Sequence, residues 1–167
     1  HILFLVGLLI IGGSFKDMVK IVTSFTIAHS VTLVLAALGW ISLPGMLVEA
    51  AIALTIVYIA IENFFLADSS NRWMITGILG LIHGFGFANV LGDLGLPTLH
   101  LVPSLFAFNL GVEIGQVVIV VLVLPLVWLL LRSAHHRKVL ILGSAVLFIF
   151  GATWFLERAF GLPVGLI

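Results

Sequence analysis

SLFAFNLGVEIGQVVIVVLVLPLVWLLL, residues 104–131, contains a single charged side chain, Glu113. A helix needs about 20 mostly apolar residues to cross the hydrocarbon layer of a bilayer, and this run is longer, enough to cross with tilt. Its polar residues Asn109, Glu113 and Gln116 follow at i, i+4 and i+7, so they form one stripe on an otherwise apolar helix. A membrane span with a carboxylate on an ordered polar face is therefore the starting point.

The rest of the chain follows the same pattern. Apolar segments run over about Val19 to Leu38, Met46 to Leu66, Trp73 to Leu91 and Val139 to Phe155. A further one, His1 to about Gly13, reads as the remnant of a longer span, because the chain opens inside an apolar stretch rather than at Met. Short polar or Pro/Gly breaks separate them: Lys16, Asp17 and Lys20; GWISLPG (39–45); residues 68–72; GDLGLPTLHLVP (92–103); and Arg132 to Lys138. Of the 167 residues, 62% are hydrophobic and 8% charged, whereas soluble domains carry about 25% charge. With a mean hydropathy of +1.36, no water-soluble surface suffices to cover this chain. The expected fold is all-α, a polytopic bundle of about six transmembrane helices with the first truncated, forming a single domain over 1–167 in a lipid bilayer.

Zero formal net charge removes the electrostatic basis for a nucleic-acid partner, and zero cysteines removes disulfides and thiolate ligands. Charge does set orientation. Lys16, Lys20, Arg72, Arg132, Arg137 and Lys138 all fall in odd-numbered loops, whereas the second and fourth loops hold no Lys or Arg. The odd loops are thus assigned to the cytoplasm and both chain ends to the outside.

Ionisable groups at membrane depth are costly and mark function. His29 lies midway along segment two with Thr26 and Thr32 on either side, and His83 lies midway along segment four. With Glu113 they place two imidazoles and a carboxylate on three helices at similar depth. Nitrogen and carboxylate donors together suit a borderline divalent ion such as nickel, cobalt or zinc. Metal arriving beside a buried carboxyl displaces its proton, a physical route to cation/proton exchange. Asn109 and Gln116 are placed to complete the shell, and Glu49 lies in the outer third of segment three. Glu62 and Asn63, near the inner end of that segment, are expected to pair with Lys20 or Arg72. Gly80 and Gly84 bracket His83, and Gly111 and Gly115 bracket Glu113, both in GxxxG spacing. Segments four and five are therefore expected to pack closely. His135, His136 and His100 read as solvated loop residues. Trp40, Trp73 and Trp154 read as interfacial anchors and most Phe residues as core. Ser24 and Ser30 flank no usable nucleophile arrangement with His29, and phosphate-loop, nucleophile-elbow and HExxH patterns are missing from the sequence.

The strings FTIAHSVTL (25–33), LVEAAIALTIVYIAIEN (47–63), GLIHGFGFA (80–88), GLP (95–97) and FNLGVEIGQ (108–116) occur in the order seen in the HupE/UreJ family, which this chain resembles over nearly its whole length. Its second branch, with the VEIGQ-type helix, is the closer match. The resemblance implies a bacterial inner-membrane permease or accessory protein for nickel or cobalt, with hydrogenase or urease maturation proteins as partners. His83 matches the family's His-Gly motif and His29 its Ala-His-Ser motif. His1 matches the His of the family's Gly-x-Asp-His pattern, and the Asp of that pattern lies outside this sequence. The resemblance places His1, with Glu49, nearer the outer mouth of a path whose midplane ligands are His29, His83 and Glu113. Two other functions remain open at this point. One is an intramembrane metalloenzyme with Glu113 as general base, favoured by a lipid-facing portal. The other is a non-transporting partner that delivers metal to a larger assembly.

Overall fold

The computed structural model describes residues 1–11, 13–65, 71–93 and 98–162, and between 88 and 102 it describes the backbone alone. Six helices are described: α1 (Ile2–Leu9), α2 (Phe15–Ala37), α3 (Gly45–Phe65), α4 (Arg72–Asp93), α5 (Thr98–Leu131) and α6 (His136–Phe160). The protein is an all-helical bundle, as its apolar segments require.

Helix boundaries follow local chemistry. α2 begins earlier than the charges at 16–20 suggest, because Ser14 caps it. The Ser14 Oγ accepts from the Asp17 amide at 3.1 Å and donates to the Asp17 carboxylate at 2.5 Å. This arrangement satisfies a free amide and sets an acid in the first turn, where the helix dipole favours it. α2 ends at a left-handed Gly39 (φ 73°), and the Trp40 amide reaches back to Leu35 O at 3.0 Å, a Schellman closure that glycine permits. α6 starts three residues before the expected Val139, taking His136, Arg137 and Lys138 into its first turn, and runs to Phe160. The loop expected over 92–103 is shorter than anticipated, since α4 continues to Asp93 and α5 starts at Thr98 with Pro103 inside it. The side chain of His100, with residues 66–70 and 94–97 of the expected breaks, lies outside the described residues.

Four helices, α2, α3, α5 (from Pro103) and α6, are long and apolar enough to cross a membrane. Large apolar side chains such as Ile27, Leu54, Ile114, Leu122, Leu142 and Ile149 point outward, a surface suited to lipid rather than water. The most extensive pairing is α2 with α4, followed by α3 with α6. The eight residues of α1 cover about 12 Å at 1.5 Å per residue. It sits inside the bundle, where Phe4, Leu5, Leu8 and Leu9 join Ile21, Phe25, Ile59, Leu124 and Leu147 in the main core.

Burying a short helix exposes the problem of its last carbonyls, which have no intrahelical donor. Here two polar side chains reach them: Asn63 Nδ2 donates to Gly7 O at 2.9 Å, and Arg72 Nη1 donates to Leu8 O at 3.1 Å. Arg72, 2% exposed, also donates to Glu62 Oε2 through Nε (3.0 Å) and Nη2 (2.7 Å) and to Asn63 Oδ1 (2.9 Å). The pairing expected for Glu62 and Asn63 is thus made by Arg72. Lys20 instead lies 4.0 Å from Asp17.

The glycine expectation needs correction. A Cβ on Gly80 would meet Phe25 O at 2.7 Å, and one on Gly84 would collide with Thr32 Oγ1 and His29 O, so the small face of α4 is pressed against α2. A Cβ on Gly111 or Gly115 would meet no atom of another helix within 4 Å among the described residues. GxxxG spacing marks a face that another backbone is able to approach, and it does not select the helix that approaches.

Candidate metal centre

Three imidazoles meet beside the α2–α4 seam. The His1 ring lies 5.3 Å from that of His29 and 5.0 Å from that of His83, centroid to centroid, both edge to face. His29 and His83 are 0% exposed. Phenylalanines enclose them: Phe4 lies 4.7 Å from His83, Phe25 5.7 Å from His29 and 5.1 Å from His83, and Phe87 4.9 Å from His1. α2 supplies Phe25 and His29 one turn apart, α4 supplies His83 and Phe87 one turn apart, and α1 adds Phe4. The i, i+4 spacing stacks each pair on one face.

The nitrogens differ in their bonding. A carbonyl only accepts, so the 2.9 Å contact between His83 Nδ1 and Leu79 O is an N–H donation. In the neutral ring Nε2 then carries a lone pair. Its recorded neighbour is Thr55 Oγ1 at 3.5 Å, whose hydroxyl proton is already given to Ile52 O at 2.6 Å. An imidazole held through one nitrogen by a backbone carbonyl, with the other free, is the usual posture of a metal-ligating histidine. Both ring nitrogens of His29 and Nε2 of His1 are buried without a hydrogen-bond partner. Each such group costs about 1–3 kcal/mol while unsatisfied.

Two rings sharing one ion through metal–nitrogen bonds of about 2.0–2.1 Å have centroids roughly 5–6 Å apart. The His1–His29 and His1–His83 separations fall there. Among the described residues, however, no three His, Asp or Glu side chains are arranged to hold an ion as they stand. The edge-to-face rings have to turn about Cβ–Cγ, a soft torsion.

The expected convergence of Glu113, Asn109 and Gln116 on the imidazoles is not what the structure presents. Glu113 Oε1 accepts from Thr23 Oγ1 at 3.0 Å, and Gln116 Oε1 accepts from Thr26 Oγ1 at 2.9 Å. Asn109 donates to Leu105 O within α5 at 2.9 Å. Asn109 and Glu113 line a cleft of about 590 Å³ between α2 and α5, with Thr23, Thr26 and Ser30 opposite and Phe106 and Leu110 at its rim; no imidazole lines it. The reason is helical phase. Thr26 is three residues from His29, about 60° away around the axis, and Thr23 is further still. α2 turns its imidazole toward α1 and α4 and the hydroxyls of Thr23 and Thr26 toward α5.

Two other assignments also move. His1, expected near an outer mouth, lies in the imidazole group itself. Glu49, expected at the same mouth, lies in a half-exposed ion pair with Arg158 of α6 at 3.0 Å. Sequence reasoning missed Thr23, Thr55 and the cage role of Phe4, Phe25 and Phe87. For Thr23 a signal existed: Thr23, Thr26 and Ser30 repeat at i, i+3 and i+7, the complement of the stripe on α5.

A family model described as HupE / UreJ protein matches residues 1–158. No curated protein and no solved structure matches the chain.

Proposed function

The chain belongs to the HupE/UreJ family, and on that footing we propose that it is a secondary transporter of a divalent transition metal, nickel or cobalt, in the bacterial cytoplasmic membrane. Its odd-numbered loops then face the cytoplasm, as their lysines and arginines require. The observation that carries the reading is the set of unpartnered imidazole nitrogens on His1 and His29, buried beside the ring of His83, whose Nε2 has only Thr55 Oγ1 at 3.5 Å. Buried polar groups in proteins are as a rule satisfied, so three unpartnered ring nitrogens in one cluster call for a ligand, and imidazole suits borderline divalent ions.

In this mechanism His83 offers Nε2 while Leu79 O holds its other nitrogen. His29 turns one nitrogen toward the same point, and His1 supplies Nε2. The surrounding phenylalanines exclude water, so the ion exchanges its hydration shell for ring nitrogens. A site built from nitrogen, with no carboxylate grouped with the imidazoles among the described residues, leaves the positive charge uncompensated in hydrocarbon. That keeps binding weak enough for release, which transport needs. The metalloenzyme reading has less support: the lipid-facing cleft is lined by Glu113 without any imidazole, so no metal-bound water would meet that carboxylate.

Uptake of Ni²⁺ or Co²⁺ into liposomes tests the proposal. Wild-type protein is expected to carry metal inward, and His83→Ala and His29→Ala to lose at least tenfold in rate while remaining folded. Flux unchanged by both substitutions removes the assignment. Binding of Co²⁺ without any flux supports metal delivery instead.

A further inference from the structure

The α2–α5 cleft holds a second set of buried polar atoms that the metal reading leaves unused. Glu113 Oε2 and Asn109 Oδ1, one helical turn apart on α5, are buried without a hydrogen-bond partner. Both are acceptors, so what they lack is positive charge or a proton donor. The other groups on this surface also present oxygen. Thr23 and Thr26 have given their hydroxyl protons to Glu113 Oε1 and Gln116 Oε1, and Ser30 has given its proton to Thr26 O at 2.6 Å. All three hydroxyl oxygens keep lone pairs. Among the described residues, no nitrogen lone pair and no second carboxylate borders the cleft.

Oxygen donors without nitrogen suit hard ions and discriminate against nickel or cobalt, which the imidazoles prefer. A single carboxylate balances a single positive charge, and in a dry span an unbalanced charge is strongly disfavoured. A proton on Glu113 would serve that carboxyl and one acceptor, whereas a metal cation gathers several oxygens at once. The seam also continues toward the charged start of α2. Thr23 borders a second hollow, of about 740 Å³, lined by Ser24 and by Lys20 near the charged start of α2.

We propose that Glu113, Asn109, Thr23 and Thr26 form an all-oxygen site for one small monovalent cation, Na⁺, separate from the imidazole cluster. Its use as the ion that drives metal movement rests on the transport reading; the site itself does not. The two polar stripes, i, i+3, i+7 on α2 and i, i+4, i+7 on α5, are then the two halves of one cation-binding seam.

The test is radiolabelled Na⁺ binding to the full chain in nanodiscs, in excess K⁺, beside the visible absorption of added Co²⁺. Wild type is expected to hold one Na⁺ per chain. Glu113→Gln keeps the shape and an oxygen to accept from Thr23, and is expected to lower Na⁺ affinity at least tenfold with the Co²⁺ band unchanged. Thr23→Val, a milder change, is expected to lower it several-fold. Na⁺ binding that depends on Glu113 in protein lacking any Co²⁺ band upholds this site while ending the metal reading. Wild type with no Na⁺ binding above the K⁺ background overturns the proposal. So does loss of the Co²⁺ band in Glu113→Gln to the extent seen in His83→Ala, since Glu113 then belongs to the metal shell.

Discussion

An imidazole wholly removed from solvent must either find donors and acceptors or have a ligand waiting, and the two fully buried rings here, His29 and His83, divide on that point. His83 is anchored through Leu79 O, while His29 makes no hydrogen bond from either nitrogen. Replacing His29 by Phe keeps an aromatic ring beside Phe25 and removes two unsatisfied polar atoms. His29→Phe is therefore expected to raise stability by about 1–2 kcal/mol, measured by unfolding in mixed micelles, while Co²⁺ binding falls at least tenfold. A destabilised variant would mean that His29 is bonded in a way that the present geometry lacks. Glu49 offers the contrast. Its ion pair with Arg158 is half-exposed, so Glu49→Gln is expected to change stability by less than about 1 kcal/mol and to leave Co²⁺ binding unaltered. At this scale the sequence is informative about which residues matter, because hydrocarbon tolerates so few polar groups that His29, His83, Asn109, Glu113 and Gln116 stand out unaided. It is less informative about grouping. Residues three apart on a helix share a face loosely, and the difference of about 60° between Thr26 and His29 sends one to α5 and the other to α1.

Among the helices, α2 and α4 are joined through backbone contact and α5 is not. Gly84→Ala would drive a methyl group into His29 O and Thr32 Oγ1, the first of them backbone that does not yield, and is expected to cost about 1–3 kcal/mol or more. Gly111→Ala, with open space around it, is expected to be neutral or slightly stabilising through helix propensity. Equal effects of the two in the same unfolding assay would contradict the packing. The polar clamp on α1 makes a separate claim. Arg72→Leu strands the Glu62 carboxylate and the Leu8 carbonyl, and is expected to destabilise by about 3–5 kcal/mol. Adding Glu62→Leu is expected to restore part of this, and no recovery would show the ion pair to be unimportant. Helix positions were legible to within a few residues because apolar runs and polar breaks alternate cleanly. Boundaries shifted where capping chemistry intervened, at Ser14 above all. The partner chosen by a glycine face was not legible, since spacing along one helix carries no information about its neighbour.

Taken whole, six of the seven Lys and Arg residues fall in the odd-numbered loops on one side of the apolar band, and Arg158 alone falls on the other. Native cysteine is absent, so single introduced thiols report orientation without background. Ala134→Cys, between α5 and α6, is expected to react with an impermeant maleimide only from the cytoplasmic side, and Ser42→Cys, between α2 and α3, only from outside. The reverse pattern would invert the assigned topology. One consequence concerns relative motion. His29 and His83 are mounted on two helices in direct backbone contact, so their spacing is set by a joint with little play. His1 meets them from a third helix, which Asn63 and Arg72 hold at its other end. Any opening and closing of the ring cluster must therefore come from outside that joint, and spin labels on α2 and α4 beside the rings are expected to keep their distance whether or not Co²⁺ is bound.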